Sequence, residues 1–342
     1  MNTLSGQTAP EAVPQDSDTF LRRAAEYRPE LLAHCYRMLG SVHDAEDLVQ
    51  ETYLRAWRGR YGFEGRSSLR FWLYRIATSA CLTALQHSSR RFVPAGLGTA
   101  GDDPHAPLDP AGVELPWVQP MLDLPPDPAA VVAERGSVRL ALIVALQQLP
   151  PRQRAVLILR DVLAWRAAEV AALLDTSAAA VNSALQRARA QLQQTAATED
   201  GVTDSLDERG RALVDRFAKA FEDADVDALA RLLREDVRLE MPPDPLWFAG
   251  RTLVLRFLAD RVFPIVAEQR LLAVTVNDGQ PALATYWREA DGRFHPHVLQ
   301  VLTLRGHRVA GILAFRDTTF FPAAGLPASL DPGTPPAPSW LW

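Results

Sequence analysis

From Asp18 to Arg91 apolar residues recur every three or four positions, with breaks near Gly40 and between Gly59 and Gly65, so this stretch reads as several amphipathic helices. Residues 93–131 lose that rhythm. They are dense in Pro, Gly and Asp, too poor in apolar residues to build a core, and read as a linker. Fully extended, a linker of this length reaches on the order of 130 Å at ~3.3–3.6 Å per residue. Helical spacing returns over 132–195, punctuated by Pro150-Pro151 and by Asp175-Thr176-Ser177. A polar connector at 196–207 follows. The period then predicts one long helix over Arg209–Leu233 and strands at Val237–Met241, Leu271–Val276, Ala282–Arg288, Val298–Leu304 and Val309–Phe315. Residues 1–16 read as a polar tail and 322–342 as a Pro-rich one. The expected fold class is multidomain: two all-α blocks, at 17–92 and 132–195, and an α+β domain at 208–321.

Charge sharpens the division. The 342 residues carry 36 Lys+Arg against 41 Asp+Glu, a net −5. The helical blocks 17–92 and 132–195 are each +4, whereas the linker between them is −6 and contains no Lys or Arg. Two basic blocks joined by an acidic tether suggest two polyanion contacts made by one chain, although ordinary scatter of surface charge gives a similar split. No apolar run reaches the ~18 residues of a membrane span, and the first residues lack the basic start and apolar core of a signal peptide. Cys35 and Cys81 both fall in apolar-periodic segments, which argues against a disulfide scaffold or a thiolate metal site. A cytoplasmic protein without membrane contact is expected.

The most informative stretch is 149–192. Arg166–Leu174 predicts a short helix, Asp175-Thr176-Ser177 a turn, and Thr176 or Ser177 the cap of a following helix. In that helix Val181, Leu185, Ala188 and Leu192 form one apolar stripe. The other face offers Asn182, Ser183, Gln186, Arg187, Arg189 and Gln193, with no acid from Thr176 to Thr198. A helix entering a major groove needs amide and guanidinium forks for base edges and no carboxylate facing phosphates. An αα-hairpin with a mixed polar face is the plain alternative.

In the first block, a helix beginning near His43 crowds Asp44, Glu46, Asp47 and Glu51 into its first turns. Acids there complement the helix dipole, and those not needed for it suggest docking on a basic protein surface. A later helix combines Phe71, Trp72 and Tyr74 with Arg70, Arg75, Arg90 and Arg91, and adds Ser79, Thr83 and Gln86. Interleaved aromatic and Arg residues suit unpaired DNA. Periodicity alone favours Trp72, Leu73, Ile76 and Leu82 as core.

Together these residues resemble a known family. LLAHCYRMLGSVHDAEDLVQETYLRAW followed by FWLYRIATSACLTAL is similar to region two of an extracytoplasmic-function (group four) sigma factor of bacterial RNA polymerase, and LPPRQRAVLILRDVL with its helix-turn-helix to region four. The resemblance implies that Asp44, Glu46, Asp47, Gln50 and Glu51 meet the clamp helices of the polymerase's largest subunit. It implies minus-ten promoter contacts for Arg70, Arg75, Ser79, Thr83, Gln86, Arg90 and Arg91, and minus-thirty-five contacts for Ser177, Asn182, Ser183, Gln186, Arg187 and Arg189. The partners implied are polymerase core and promoter DNA, with no cofactor and no catalysis. Many relatives carry Asn and Asp where Ser79 and Thr83 stand, so altered or weaker recognition of a flipped base is expected; they also carry bases at Asn182 and Ala184 and a His at Gln186, so fewer phosphate contacts and a shallower salt dependence are expected.

Residues 208–321 resemble a SnoaL-like domain, an α+β cone whose curved sheet wraps a long helix around a pocket. Met241, Trp247, Phe248, Tyr286, Trp287 and Phe315 are its candidate lining, open to a small molecule. Enzymatic members of that fold use Asp/His or Asp/Arg groups inside the cone, which makes Asp236, His295, His297 and Arg316 acid–base candidates here, but the spacing singles out no pair; nor does a third ligand join His295 and His297 to bind zinc. Two other readings stay open. A free-standing helix-turn-helix repressor would bind DNA without polymerase. A SnoaL-like isomerase, cyclase or hydrolase would turn over substrate without residues 1–195 and lose that activity when Asp236 is changed.

Overall fold

The computed structural model describes residues 17–63, 67–87, 91–108, 115–121, 140–196, 206–266, 268–277, 279–323, 326–335 and 339–340. The tail 1–16, Arg90 and much of both connectors lie outside this set. The chain divides into two compact units: 1–90 with 132–138 and 145–195, and 91–131 with 139–144 and 196–342.

The first unit is helical. α1 (Ser17–Ala25), α2 (Arg28–Leu39), α3 (Val42–Gly59) and α4 (Leu69–His87) come from the first block. α5 (Leu140–Gln147), whose residues 140–144 are assigned to the second unit, precedes α6 (Pro151–Leu157), α7 (Ala167–Leu173) and α8 (Ala178–Ala196). The break near Gly40 is a left-handed turn at φ 70°, where the Gly40 N–H bonds the Tyr36 carbonyl at 2.7 Å. Ser41 then caps α3, its Oγ accepting from the Asp44 N–H at 3.2 Å. Leu31, Tyr36, Met38, Leu73, Tyr74 and Ala77 are fully buried between α2 and α4, each large side chain contributing about 1.5–3 kcal/mol. Cys35 and Cys81 are buried free thiols in the same core, and the hydrogen bond with Cys35, with burial second, pushes the Cys81 thiol up.

α6 packs on this core through a buried cation. Arg154, 3% exposed, donates to the Gln147 Oε1 at 2.7 Å, to the Gln147 and Leu149 carbonyls at 3.3 and 3.2 Å, and to the Met38 carbonyl in the last turn of α2. The negative end of the α2 dipole is a favourable place for a guanidinium.

The second unit is α+β, as expected for a cone. α9 (Glu208–Glu222) and α10 (Val226–Leu232) precede β1 (Leu233–Glu240), β2 (Trp247–Ala249) and α11 (Arg251–Phe257). Then come β3 (Gln269–Val276), β4 (Gln280–Arg288), β5 (Phe294–Arg305), β6 (Arg308–Phe315), the short α12 (Phe320–Ala323) and β7 (Ser339–Trp340). The sheet order is β2-β1-β6-β5-β4-β3-β7, antiparallel except where β1 meets β6 and β3 meets β7. α9 buries Leu213, Val214, Phe217 and Phe221 in the core of this unit.

The single helix expected over Arg209–Leu233 is two. The chain turns left-handed at Ala224 (φ 53°), and Asp225 caps α10 by accepting from the Ala228 N–H at 2.8 Å. Two Asp around one Ala favour a local turn and cap over a continuous helix. The acidic linker departs further from expectation, because its described parts are tied to the cone edge. The Gly101 N–H bonds the Trp247 carbonyl at 2.8 Å, the Ala95 N–H bonds Glu240 Oε2 at 2.9 Å, and Met121 exchanges bonds of 2.7 and 3.1 Å with Asn277. A side chain at Gly101 would place its Cβ 2.7 Å from Leu246 Cδ1, so glycine permits the close approach.

Candidate nucleic-acid interface and cone cavity

α7, the turn and α8 form the expected helix-turn-helix. Asp175 sits at φ 52°, the left-handed conformation that Asp tolerates, and Ser177 Oγ caps α8 by accepting from the Ala180 N–H at 3.1 Å. Val181, Leu185 and Ala188 are buried. Asn182, Ser183, Gln186 and Arg187 all face solvent. Arg189 is exposed too, but its guanidinium is paired side-on with Asp161, at 2.9 and 2.7 Å. Ser177 thus makes the cap expected of Thr176 or Ser177, whereas Arg189 has structural work that the sequence pattern did not reveal.

On α4, Arg75, Ser79, Thr83 and Gln86 are exposed and fall at i, i+4, i+8 and i+11, one face of the helix. Thr83 Oγ1 is turned back to the Ser79 carbonyl at 2.9 Å. Arg70 stands apart from that stripe. It is half-buried, bidentate on Glu30 at 2.9 and 2.7 Å, with the Tyr74 hydroxyl 3.1 Å from the same carboxylate. Glu30 is the main reason that Arg70 holds its proton more tightly despite burial. Arg91 donates to the Trp117 carbonyl at 2.9 Å.

The aromatic residues of α4 are engaged internally. Trp72 packs against Phe20 and Phe63, with centroids 6.4 and 4.9 Å apart. Phe71 stacks on Trp165 at 5.4 Å and 15°, and Tyr74 meets the same indole at 5.3 Å. Trp165 is 8% exposed and follows a left-handed Ala164. A lone Trp between two helices gave no periodic signal, so its role was not legible.

On α3, Asp47 and Gln50 are exposed, and Leu54, on the same face, is 50% exposed. Glu46 is paired with Arg28, and Glu51 with Arg55 at 2.7 Å. Asp44 is half-buried beside the Ser41 cap. The open part of the acidic patch is therefore Asp47 and Gln50 with Leu54 beside them, an apolar residue that the search for charge passed over.

The cone encloses a cavity of about 370 Å³. Met241 and Trp287 line it, as expected, together with Phe221, Leu239, Phe257, Leu258, Val298, Ile312 and Ala314. Trp247, Phe248 and Tyr286 do not. Trp247 donates its Nε1–H to the Gly98 carbonyl at 3.1 Å, and Phe248 is core, 5.0 Å from the Phe257 ring. Tyr286 alternates with Trp287 along β4 and so faces the other way, its hydroxyl donating to the Pro327 carbonyl at 3.0 Å. Burial pushes that phenol well above its ordinary value.

The acid–base candidates are not brought together. Asp236 pairs with Arg234 on the surface at 2.7 Å, which holds its carboxyl below the usual range. His295 pairs with Asp291 at 2.8 Å. His297 and Arg316 do line the cavity, with the His297 ring stacked 3.2 Å from Trp287. Burial, then the nearby Arg316 charge, lower His297 to about 4, so the ring is neutral near pH 7. Gln300, 2% exposed, also lines the cavity. Among the described residues no group of three or more His, Cys, Asp or Glu could hold a metal, and no helix is long and apolar enough to cross a membrane.

Comparison with known proteins matches two family patterns, "Sigma-70 region 2" over residues 24–91 and "Sigma-70, region 4" over residues 139–192. The ECF RNA polymerase sigma factor SigG of Mycobacterium tuberculosis is 46% identical over 338 residues, 96% of this chain and 90% of that one. SigW of Bacillus subtilis, also an ECF RNA polymerase sigma factor, is 28% identical over 185 residues, 52% of this chain and 89% of its own length. The crystal structure of the M. tuberculosis ECF sigma factor SigJ shares the fold, with a TM-score of 0.57 and 24% identity over 90% of this chain and 99% of that one. With a relative this similar along almost the whole length and both sigma patterns in order on the helical unit, the chain belongs to the ECF RNA polymerase sigma factors, proteins that bind polymerase core and promoter DNA to start transcription.

Proposed function

We propose that the exposed helix faces divide the work of initiation between them. Asp47 and Gln50, with Leu54, dock on the polymerase clamp helices. The stripe Arg75, Ser79, Thr83 and Gln86 meets the unpaired minus-ten strand, and Asn182, Ser183, Gln186 and Arg187 on α8 read the minus-thirty-five element. The observation that carries this reading is the exposed, acid-free face of α8 behind a left-handed turn at Asp175. Amide and guanidinium groups on such a face suit base edges in the major groove. Arg70 and Arg189 act at one remove, through Glu30 and Asp161, by setting the positions of α4 and α8. The chain works in the cytoplasm, beside polymerase, and performs no covalent chemistry of its own.

The cone regulates this activity by holding the linker. Two turns of duplex separate the promoter elements by about 70 Å, within reach of a free 93–131 tether. Bonds from Ala95, Gly101 and Met121 to the cone shorten the free portion. Engagement of both elements is therefore coupled to release of the linker. A ligand that binds the held and released forms unequally would shift the balance. The docking assignment is tested by pull-down with polymerase core: Asp47→Arg in the full chain should reduce capture at least tenfold with an unchanged melting temperature, and undiminished capture would overturn it.

A further inference from the structure

Nothing in the family assignment says what fills the cone. Its cavity has a volume within the ~300–1,000 Å³ range of small-molecule sites and is walled by aliphatic and aromatic side chains from α9, α11 and the sheet. Four polar side chains reach it: Arg261, His297, Gln300 and Arg316. None is acidic. Arg261 is partly committed, donating to the Ala106 carbonyl at 3.1 Å. Arg316 is exposed and forms no ion pair among the described residues. A neutral His297 beside it leaves the field at that end of the cavity positive. Such a wall disfavours a cation and leaves a guanidinium for a carboxylate.

Gln300 adds the second element. Its Nε2 donates to Thr285 Oγ1 at 3.0 Å, while its Oε1 is buried with no partner. A buried acceptor without a donor costs about 1–3 kcal/mol. The Thr285 hydroxyl can also donate, so the amide could be turned over; one amide atom is still left over. A ligand hydroxyl serves either case, because it both donates and accepts. The flat Trp287–His297 pair offers a face to a ring.

From these residues we infer that the cone binds a compact, largely apolar hydroxy acid, with its carboxylate on Arg316, its hydroxyl on Gln300 and its apolar body against Trp287 and Ile312. This does not depend on the division of promoter contacts above, because binding is read on the isolated chain without polymerase.

The test is calorimetric titration of the full chain with four probes: 6-hydroxy-2-naphthoate, 2-naphthoate, 2-naphthol and 2-naphthylmethylamine. The hydroxy acid should bind tightest and the amine should not bind. Arg316→Ala should weaken both acids about tenfold and leave 2-naphthol unchanged. Gln300→Leu should remove the advantage of the hydroxy acid over 2-naphthoate. Should Gln300→Leu fail to fold, Ala314→Phe, which fills the cavity, should abolish binding of every probe with the melting temperature retained. Binding of the amine as tight as that of the acids, an unchanged ranking in Gln300→Leu, binding that survives Ala314→Phe, or no heat from any probe at millimolar concentration would each overturn the proposal.

Discussion

His34 shows how one side chain couples burial to pH. It is fully buried, its Nε2 lies 2.9 Å from Thr78 Oγ1, and desolvation, with the Arg37 charge second, lowers its pKa to about 3. The folded state therefore keeps His34 neutral while the unfolded chain takes up a proton near pH 6.5. The stability this confers is complete above pH 6.5 and is lost as pH falls toward 3, by up to about 1.4 kcal/mol per unit. Urea unfolding followed by far-UV circular dichroism should show the helical signal weakening between pH 7.5 and 5.5. His34→Gln, which can still reach Thr78, should flatten that dependence. Equal pH slopes in the two proteins would show that His34 is not the titrating group.

At the level of the element, α8 separates exposed polar residues, proposed here to read the promoter, from residues that hold the helix in place. Asn182→Ala, Gln186→Ala and Arg187→Ala should each cost about 1–3 kcal/mol of promoter discrimination, measured as the affinity of the polymerase complex for matched and mutated minus-thirty-five sequences. Arg189→Ala removes an exposed pair and should change stability by less than about 1 kcal/mol. The helix-turn-helix was legible because Val181, Leu185 and Ala188 repeat on one face and Ser177 marks its start. Five of the seven described strands were legible from their apolar runs, within a residue or two at most ends, whereas the short β2 and β7 were not. What escaped was whatever depends on distant partners: the Arg154 contact with the Met38 carbonyl, Trp165 between Phe71 and Tyr74, and the anchoring of a Pro-rich linker by Trp247. Pocket residues were only half legible, because which of two neighbours on β4 faces inward depends on a register that composition does not reveal. At the linker itself, Glu240→Ala removes the acceptor for the Ala95 N–H. Hydrogen exchange at residues 94–101 should then rise at least tenfold, and protection equal to that of the parent would mean that this bond does not hold the linker.

Over the whole molecule, two helical sigma regions and an α+β cone share one chain, and the segment joining the sigma regions is anchored on the cone. In the proposed regulation, promoter recognition and whatever occupies the cavity are linked through the hydrogen bonds that hold Ala95, Gly101 and Met121 on the cone. The central assignment is tested most directly by in vitro transcription with core polymerase over a library of genomic fragments. The full chain should start transcripts at a restricted set of sites sharing two spaced elements, and Arg187→Ala should weaken dependence on the upstream element. If core polymerase produces the same transcripts with and without the chain, the assignment as an initiation factor is contradicted.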